Sequence, residues 1–213
     1  MKPVEILDEL EKLYPDAWCE LVHRNAYELT IAVLLSAQTT DISVNKVTPV
    51  LFEKYPSVYE LAQADLKDVE AILKSLGLYR NKSKNIILLA QQVIESFGGI
   101  IPDNQEDLMT LAGIGRKSAN VVVSCWYGVP AIAVDTHVSR VSKRLRLAYA
   151  NDDVEAIERK LNRKFPKLRW SKAHHTMIFF GRYRCKAKKP ECLGCPFTSF
   201  CREYPFQKYR FEN

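Results

Sequence analysis

The chain has 213 residues, 47% of them hydrophobic, and a formal net charge of +6 at pH 7. This length allows one large domain or two small ones with a real core, and no apolar run approaches the roughly 18 residues that a membrane helix needs. The N-terminal residues mix acids into helix-spaced apolar positions instead of forming a signal peptide. These features argue against a membrane protein and predict a protein of the cytoplasm.

Apolar residues recur at helical spacing along the chain. One stripe lies near the N-terminus and a second follows residue 85: Ile6, Leu7, Leu10 and Leu13, then Ile86, Ile87, Ala90, Val93, Ile94 and Phe97. Spacing of three and four residues is typical of amphipathic helices. The apolar run 129–134 could form a short strand, but no neighbouring segment offers it a partner. We therefore predict an all-α fold.

Helix-terminating and helix-starting residues agree with this fold. Gly77 and the pair Gly98-Gly99 stand where helices are expected to end. Asp103, with Glu106 three residues later, predicts an N-cap and its capping-box partner. A helix is therefore expected to begin at Asp103.

A glycine turn follows that helix, in the segment Leu111-Ala-Gly-Ile-Gly-Arg-Lys-Ser-Ala119. Gly113 and Gly115 allow backbone conformations that aim successive N–H groups at one point, and the next helix adds its positive N-terminal end. Together with Arg116, this arrangement fits a phosphate group. Many helical hairpins use glycine only for packing, so the turn by itself leaves that interpretation open.

Four of the six cysteines fall within 17 residues, as Cys185-x6-Cys192-x2-Cys195-x5-Cys201. Such clustering in a chain expected to be cytosolic predicts metal ligation rather than disulfides. Zinc sites usually contain two Cys-x2-Cys pairs, whereas this run has one, so the spacing favours an iron-sulfur cluster and leaves zinc as the alternative. The other two cysteines, Cys19 and Cys125, are predicted to be small core residues.

The end of the chain is also basic. From Gly181 to Asn213, eight Lys and Arg residues stand against three acids. Such a segment is typical of a surface that binds a polyanion, with Lys188 a candidate contact, but a solvated basic surface has the same composition. The four histidines show no metal-ligand spacing, and we interpret them as structural or close to DNA.

These motifs together resemble the endonuclease III family. The segments LLSAQTTDISVNKV, LAGIGRKSANVV and VDTHVSRVSKRL and the four-cysteine tail occur in the family's order and span nearly the whole chain. The resemblance implies two lobes with a DNA cleft between them. A six-helix barrel with the helix-hairpin-helix is expected at 19–129, and a [4Fe-4S] cluster domain at 1–18 and 130–213. It also implies a monomer that acts on duplex DNA containing damaged pyrimidines or abasic sites.

The resemblance assigns the reaction to two residues. Lys117 lies where the helix dipole and Arg116 both disfavour the ammonium, and a neutral lysine is a nucleophile that can form a Schiff base at C1′ of the damaged nucleotide. Asp135 is expected to cap a helix and also to assist deprotonation of the lysine and stabilise positive charge at C1′. The resemblance further implies that Cys185, Cys192, Cys195 and Cys201 ligate the cluster.

Two more positions match residues that the family inserts into the duplex. Gln38 would hydrogen-bond the orphaned base, and Leu78 would wedge between bases after the target nucleotide is extruded. Without the resemblance, Gln38 would be a helix-end cap and Leu78 a hydrophobic contact after a glycine C-cap.

Two other functions stay open at this point. An adenine glycosylase of the same superfamily would need a glutamate five residues before Gln38, where this chain has Val33. A non-catalytic DNA-binding or redox-sensing module would need only the hairpin and the cluster, and Lys117 with Asp135 argues against it.

Overall fold

The computed structural model describes residues 1–205, so Lys208 and Arg210 of the basic segment lie outside the described residues. Every regular element in residues 1–205 is a helix, which confirms the all-α prediction, and 129–134 belongs to none of them. No helix of this part of the chain has the length and apolar character that crossing a membrane requires.

Eleven α-helices are formed by residues 1–205, together with a 3-10 turn at Lys167–Arg169 and a π-helical turn at Phe180–Arg184. The α-helices are α1 (Pro3–Leu13), α2 (Ala26–Leu35), α3 (Asp41–Lys54), α4 (Val58–Ala62), α5 (Leu66–Leu73), α6 (Tyr79–Phe97), α7 (Gln105–Leu108), α8 (Arg116–Cys125), α9 (Thr136–Arg144), α10 (Val154–Lys164) and α11 (Trp170–Phe179).

The chain divides into two compact units. The hairpin unit consists of Glu20–Val129, and the cysteine unit consists of Met1–Cys19 and Pro130–Asn213. In the hairpin unit, α2 is the central helix, because all of its residues from Tyr27 to Leu35 are buried and it packs against α3, α6 and α8. A helix that is apolar on every side is stable only when other helices surround it.

Helix α6 is the longest of these helices and packs against α2, α4 and α5. Its predicted apolar stripe is confirmed, since Ile86, Ala90 and Val93 are buried. The helix ends at Gly98, which has a left-handed conformation (φ +61°) and whose N–H bonds the carbonyl of Val93. This is the glycine termination that the sequence indicated.

In the cysteine unit, α1 packs on α11 although the two are far apart in sequence. Ile6, Leu7 and Leu10 of α1 are buried in a core shared with α9, α10 and α11. At the surface, Arg169 Nη2 lies 2.7 Å from an oxygen of Asp8 and 2.9 Å from one of Glu11. The apolar stripe of α1 therefore explains why the N-terminal segment belongs to the same unit as the C-terminal half.

Two adjacent histidines are buried in α11, which confirms their structural interpretation. His174 and His175 are 2% and 3% exposed, and the ring of His175 lies 4.8 Å from that of Trp18. Burial, together with repulsion from His174 and Lys172, lowers the pKa of His175 to about 3. The folded protein therefore holds His175 neutral at pH values where an unfolded chain would protonate it.

We predict that the protein loses stability in mild acid because of His175. The unfolded chain binds this proton with a pKa of about 6.5, while the folded chain does not until about pH 3, so stability falls as the pH drops below 6.5. At about pH 5, this difference in proton binding lowers the free energy of unfolding by on the order of 2 kcal/mol. Urea unfolding at about pH 8 and pH 5 should show a smaller loss in His175→Phe than in the unmodified protein, and equal losses would contradict the assignment.

Candidate functional site

The glycine turn between α7 and α8 forms a tight helical hairpin. Gly113 has φ +76°, and a Cβ atom there would lie 2.9 Å from Leu34 Cδ1 and 3.0 Å from Asn85 Nδ2. The left-handed conformation therefore favours glycine at this position, and a side chain there would also displace the ends of Leu34 and Asn85. The predicted N-cap at Asp103 is wrong by one residue, since Asn104 caps α7 by accepting the N–H of Asp107 at 2.9 Å. Asn and Asp are equally good N-caps, so the residue types could not decide between Asp103 and Asn104, and the backbone conformation decides it.

Helix α6 holds the hairpin turn through side chains that the sequence analysis missed. The side-chain oxygen of Gln92 accepts the backbone N–H of Ala112 at 2.7 Å, and Asn85 lies against Gly113. Across the hairpin, Gln105 of α7 donates to Asn120 of α8. These contacts join residues 15 to 28 positions apart, so no local sequence pattern could have indicated them. They fix the loop backbone before any ligand arrives.

Lys117 is the second residue of α8 and is exposed, as are Gly115 and Arg116 before it. First-turn N–H groups have no acceptor within their own helix, and Gly115 offers no side chain to cap them. An anion can therefore bind at this turn while the Lys117 amine reaches into solvent. Gly113, Gly115, Arg116 and Lys117 lie within five consecutive residues at the start of α8.

Asp135 is the N-cap of α9, and its Oδ1 accepts the N–H of Val138 at 2.7 Å. The residue is half-buried, at the end of the extended segment that includes the buried Ile132, Ala133 and Val134. A carboxylate has two oxygens, so one can cap the helix while the group keeps its charge. The predicted capping role is thus present in the cysteine unit.

Gln38 and Leu78 share an unusual backbone conformation. Their φ angles are +53° and +59°, in the left-handed region that costs a non-glycine residue about 1–2 kcal/mol. Gln38 is exposed, and its side chain has no hydrogen-bond partner within residues 1–205, so it is not a helix-end cap. Leu78 is 56% exposed, so it is not the buried contact that follows a glycine cap. Gly77 was expected to have the left-handed conformation of a helix-terminating glycine. Its φ lies outside that region, and Leu78 has this conformation instead.

The four clustered cysteines line one cavity in the cysteine unit. Its walls also include Leu145, Phe180 and Phe197, and Phe197 is fully buried with its ring 5.3 Å from that of Phe180. None of the four thiols forms a disulfide. Within residues 1–205 no three His, Cys, Asp or Glu side chains are arranged to hold a single metal ion. Cys19 and Cys125 do not line the cavity and are half-buried rather than core residues.

Three arginines hold the loop that carries these cysteines. Arg144 donates to the carbonyl of Lys186 at 2.7 Å and to the sulfur of Cys185 at 3.4 Å. Arg140 donates to the carbonyl of Cys185, and Arg184 to that of Leu193 at 2.9 Å. The loop turns at Gly194, which has φ +66°. Arg140 and Arg144 belong to α9, whereas Arg184 comes from the basic C-terminal segment and is used inside the loop.

Burial determines the state of the cysteine side chains. It raises the pKa of the thiols of Cys185, Cys192 and Cys195, and Cys185 is 8% exposed. The hydrogen bond from Arg144 opposes this effect at Cys185. Thiols in such surroundings become thiolates when a metal centre binds them.

Lys188 lies in the same loop, between Cys185 and Cys192, and is exposed. The carbonyl of Ala187, the preceding residue, accepts from Arg144 at 3.4 Å, and Lys186 pairs with Glu191 at 2.6 Å. Lys188 is thus a cation on a loop whose backbone is held from inside. Such a side chain suits contact with a phosphate.

Comparisons with known proteins agree with this geometry. The family model of the HhH-GPD superfamily of base excision DNA repair proteins matches residues 31–167. Endonuclease III of Bacillus subtilis (strain 168) is 52% identical over 204 residues, which are 95% of this chain and 93% of that protein. A solved non-covalent endonuclease III–DNA complex has a TM-score of 0.95 and 51% identity, covering 98% of this chain and 99% of that one.

A second solved structure, a trapped endonuclease III–DNA covalent intermediate, has a TM-score of 0.94 with the same identity and coverage. The family model covers more than half of this chain, and the Bacillus relative covers nearly all of it. The chain therefore belongs to the endonuclease III family of DNA glycosylases and abasic-site lyases, within the HhH-GPD superfamily of base excision DNA repair proteins.

Proposed function

We propose that this enzyme removes oxidised or saturated pyrimidines from duplex DNA with Lys117 as the nucleophile, and then cleaves the strand 3′ to the abasic site. The observation that carries the proposal is the place of Lys117, exposed in the first turn of α8 after a glycine turn that α6 holds in place. A neighbour at 51% identity that was trapped in a covalent complex with DNA supports a nucleophile of this kind.

The reaction needs a single amine, which attacks in the first step and is released in the last. The neutral Lys117 nitrogen attacks C1′, the bond from C1′ to the base breaks, and the base leaves with that electron pair and takes a proton. The sugar ring opens as its oxygen is protonated, which leaves an iminium at C1′. This Schiff base acidifies C2′, so loss of a C2′ proton expels the 3′ phosphate. Water then hydrolyses the imine and returns the amine.

Asp135 assists this chemistry through its charge. A carboxylate can accept a proton from the lysine ammonium and stabilise positive character that develops at C1′. Its hydrogen bond to Val138 fixes the side chain at the start of α9. Preorganisation of this kind avoids reorientation of the group during the reaction.

The contacts that we propose with the DNA backbone do not depend on base sequence. We assign phosphate contacts to the N–H groups around Gly113 and Gly115, to Arg116 and to Lys188. Backbone contacts fix orientation without specifying sequence, as a repair enzyme that meets lesions in every context requires. A duplex-DNA substrate fits an enzyme that acts in the cytoplasm, at the nucleoid of a bacterial cell.

Gln38 and Leu78 enter the duplex when the target nucleotide is extruded. Extrusion costs a few kcal/mol of stacking and pairing, which side chains in the vacated space offset. The amide of Gln38 can pair with the orphaned base, and exposed Leu78 can wedge between bases. Strained backbone at both positions supports this role, because such strain concentrates at functional sites.

The four thiols that line the cavity suit a [4Fe-4S] cluster, with Cys185, Cys192, Cys195 and Cys201 as its ligands. When bound, the cluster would cross-link the C-terminal loop and take no part in the bond changes, because four cysteines leave no iron site open. Arg144 and Arg184 hold the loop and oppose the negative charge of the thiolates.

An adenine glycosylase activity is not supported. The position where that class has its glutamate is Val33, which is 4% exposed inside α2. A valine there can neither transfer a proton nor reach a substrate.

We predict that the purified protein is brown and contains about four iron atoms per chain. Cys192→Ser should lose iron and visible absorption, because one ligand is missing. Cys19→Ser changes a half-buried cysteine of the same unit that does not line the cavity, and it should keep the iron. A colourless, zinc-loaded and fully active protein would refute the cluster.

Borohydride should trap the enzyme on an abasic duplex, and Lys117→Gln should abolish both the trapped complex and strand cleavage while DNA affinity changes little. The matched variant is Arg116→Gln on the adjacent residue. It should keep trapping but lower affinity, with a reduction of about one in the salt dependence of binding, because one phosphate contact is lost. Continued trapping by Lys117→Gln would show that another residue is the nucleophile.

The two roles of Asp135 can be separated by one substitution. Asparagine is as good an N-cap as aspartate, so Asp135→Asn should preserve stability but lower the turnover rate by roughly two orders of magnitude or more. Asp153→Asn is the control, because Asp153 caps α10 in the same unit with the same 2.7 Å bond to a backbone N–H. Single-turnover rates and urea unfolding measure both effects, and full activity in Asp135→Asn would limit the residue to capping.

A further inference from the structure

A buried lysine joins the two segments that carry Gln38 and Leu78. Lys82 lies in the first turns of α6, four residues after Leu78, and is 4% exposed. Its Nζ donates to Thr39 Oγ1 at 2.5 Å, across 43 positions of sequence. Thr39 is the residue directly after Gln38. All of these residues belong to the hairpin unit.

The surroundings of Lys82 are unusual for a cation. Within residues 1–205 no carboxylate forms an ion pair with it, and burial lowers its pKa. Buried charges are normally paired with an opposite charge, because removal from water is costly. Here the charge meets a hydroxyl instead, so stability alone does not account for a lysine at this position. Residues that do not suit their local surroundings, such as a buried cation without an opposite charge, are expected at functional sites.

Lys82 lies one helical turn after the strained residue Leu78. Its backbone N–H makes the ordinary helical bond to the carbonyl of Leu78 at 3.0 Å, and the N–H of Thr39 bonds the carbonyl of Ser36 at 3.0 Å. Leu78 and Gln38 both have left-handed backbones. Such conformations persist only where surrounding contacts fix them. Lys82 therefore connects the strained turn at Leu78 with the residue next to the strained turn at Gln38.

We propose that Lys82 is a positioning residue that, through its hydrogen bond to Thr39, holds Gln38 and Leu78 at the fixed separation needed to enter the duplex together. This inference rests on the insertion roles proposed above for these two residues. Neither Lys82 nor Thr39 needs to touch the reacting atoms. Lys82 and Thr39 keep the side chains of Gln38 and Leu78 in place before the nucleotide is extruded. These two side chains then do not have to be ordered during extrusion.

The bond can be removed from either side. Thr39→Val takes away the hydroxyl, Lys82→Met takes away the ammonium, and both substitutions nearly preserve side-chain size. Each should slow excision of a lesion in fully paired duplex by roughly ten- to a hundredfold, the range for a lost hydrogen bond to a charged group. The same lesion in a single strand or an unpaired bubble should be excised nearly as fast as by the unmodified enzyme, because no partner base has to be replaced.

Three controls separate positioning from folding. Thr39→Ser keeps the hydroxyl and should restore duplex excision. The double variant Lys82→Met/Thr39→Val should lose no more than the worse single variant, because both changes remove the same bond. Lys84→Met removes an exposed lysine two residues further along α6 and should leave the ratio of duplex to bubble rates unchanged. Single-turnover rates with circular dichroism melting give both readouts for every variant.

Gln38→Ala and Leu78→Gly test the underlying roles in the same assay. If they slow the duplex reaction selectively, while Lys82→Met and Thr39→Val slow both substrates equally or neither, insertion stands and the positioning role of Lys82 is refuted. If Gln38→Ala and Leu78→Gly themselves slow both substrates equally, the insertion proposal fails and the positioning role fails with it. Leu78→Gly also relieves a left-handed leucine, so loss of folding is not expected there.

Discussion

One face of α6, together with its N-cap Leu78, supports the loop backbone of the hairpin unit. Leu78, Lys82, Asn85 and Gln92 stand at spacings of four, three and seven residues, which places them on one face of the helix. Their contacts are, in order, the strained turn itself, Thr39, Gly113 and the N–H of Ala112. One rigid helix thus determines the conformation of three separate loop positions. Polar contacts that are buried and satisfied give a unique geometry, because any slip leaves a donor or acceptor without a partner.

In the cysteine unit, arginine side chains hold irregular loop backbone in a comparable way. Its loop from Cys185 to Cys201 contains little regular structure, and Arg140, Arg144 and Arg184 supply the donors that its carbonyls need. A guanidinium has five N–H groups in a fixed plane, so one side chain can hold several carbonyls at once. Among the basic residues that follow Gly181, Arg184 is thus used inside the loop, whereas Lys188 is exposed. Net charge alone could not separate them.

Several residues combine a role in the fold with the role that we propose for them in the reaction or in DNA binding. Asp135 begins α9 and supplies a carboxylate, and Gly113 both allows the hairpin turn and leaves room for Leu34 and Asn85. Gln38 and Leu78 are the opposite case, since their conformations cost stability and give nothing back in packing. That contrast separates Asp135 and Gly113, which the fold itself requires, from Gln38 and Leu78, whose conformations the proposed insertion into the duplex would explain.

By itself the sequence determined the all-helical class, the stripes of α1 and α6, the hairpin, the grouping of four cysteines and the family, because each depends on short spacings or fixed residue types. It misplaced the cap of α7 by one residue and assigned the special backbone to Gly77 instead of Leu78. Only the tertiary structure decided these points, and only it revealed the bond from Lys82 to Thr39 and the support of Ala112 by Gln92. Those contacts join side chains 20 to 43 positions apart, and their pairing follows from how the helices pack rather than from any local preference.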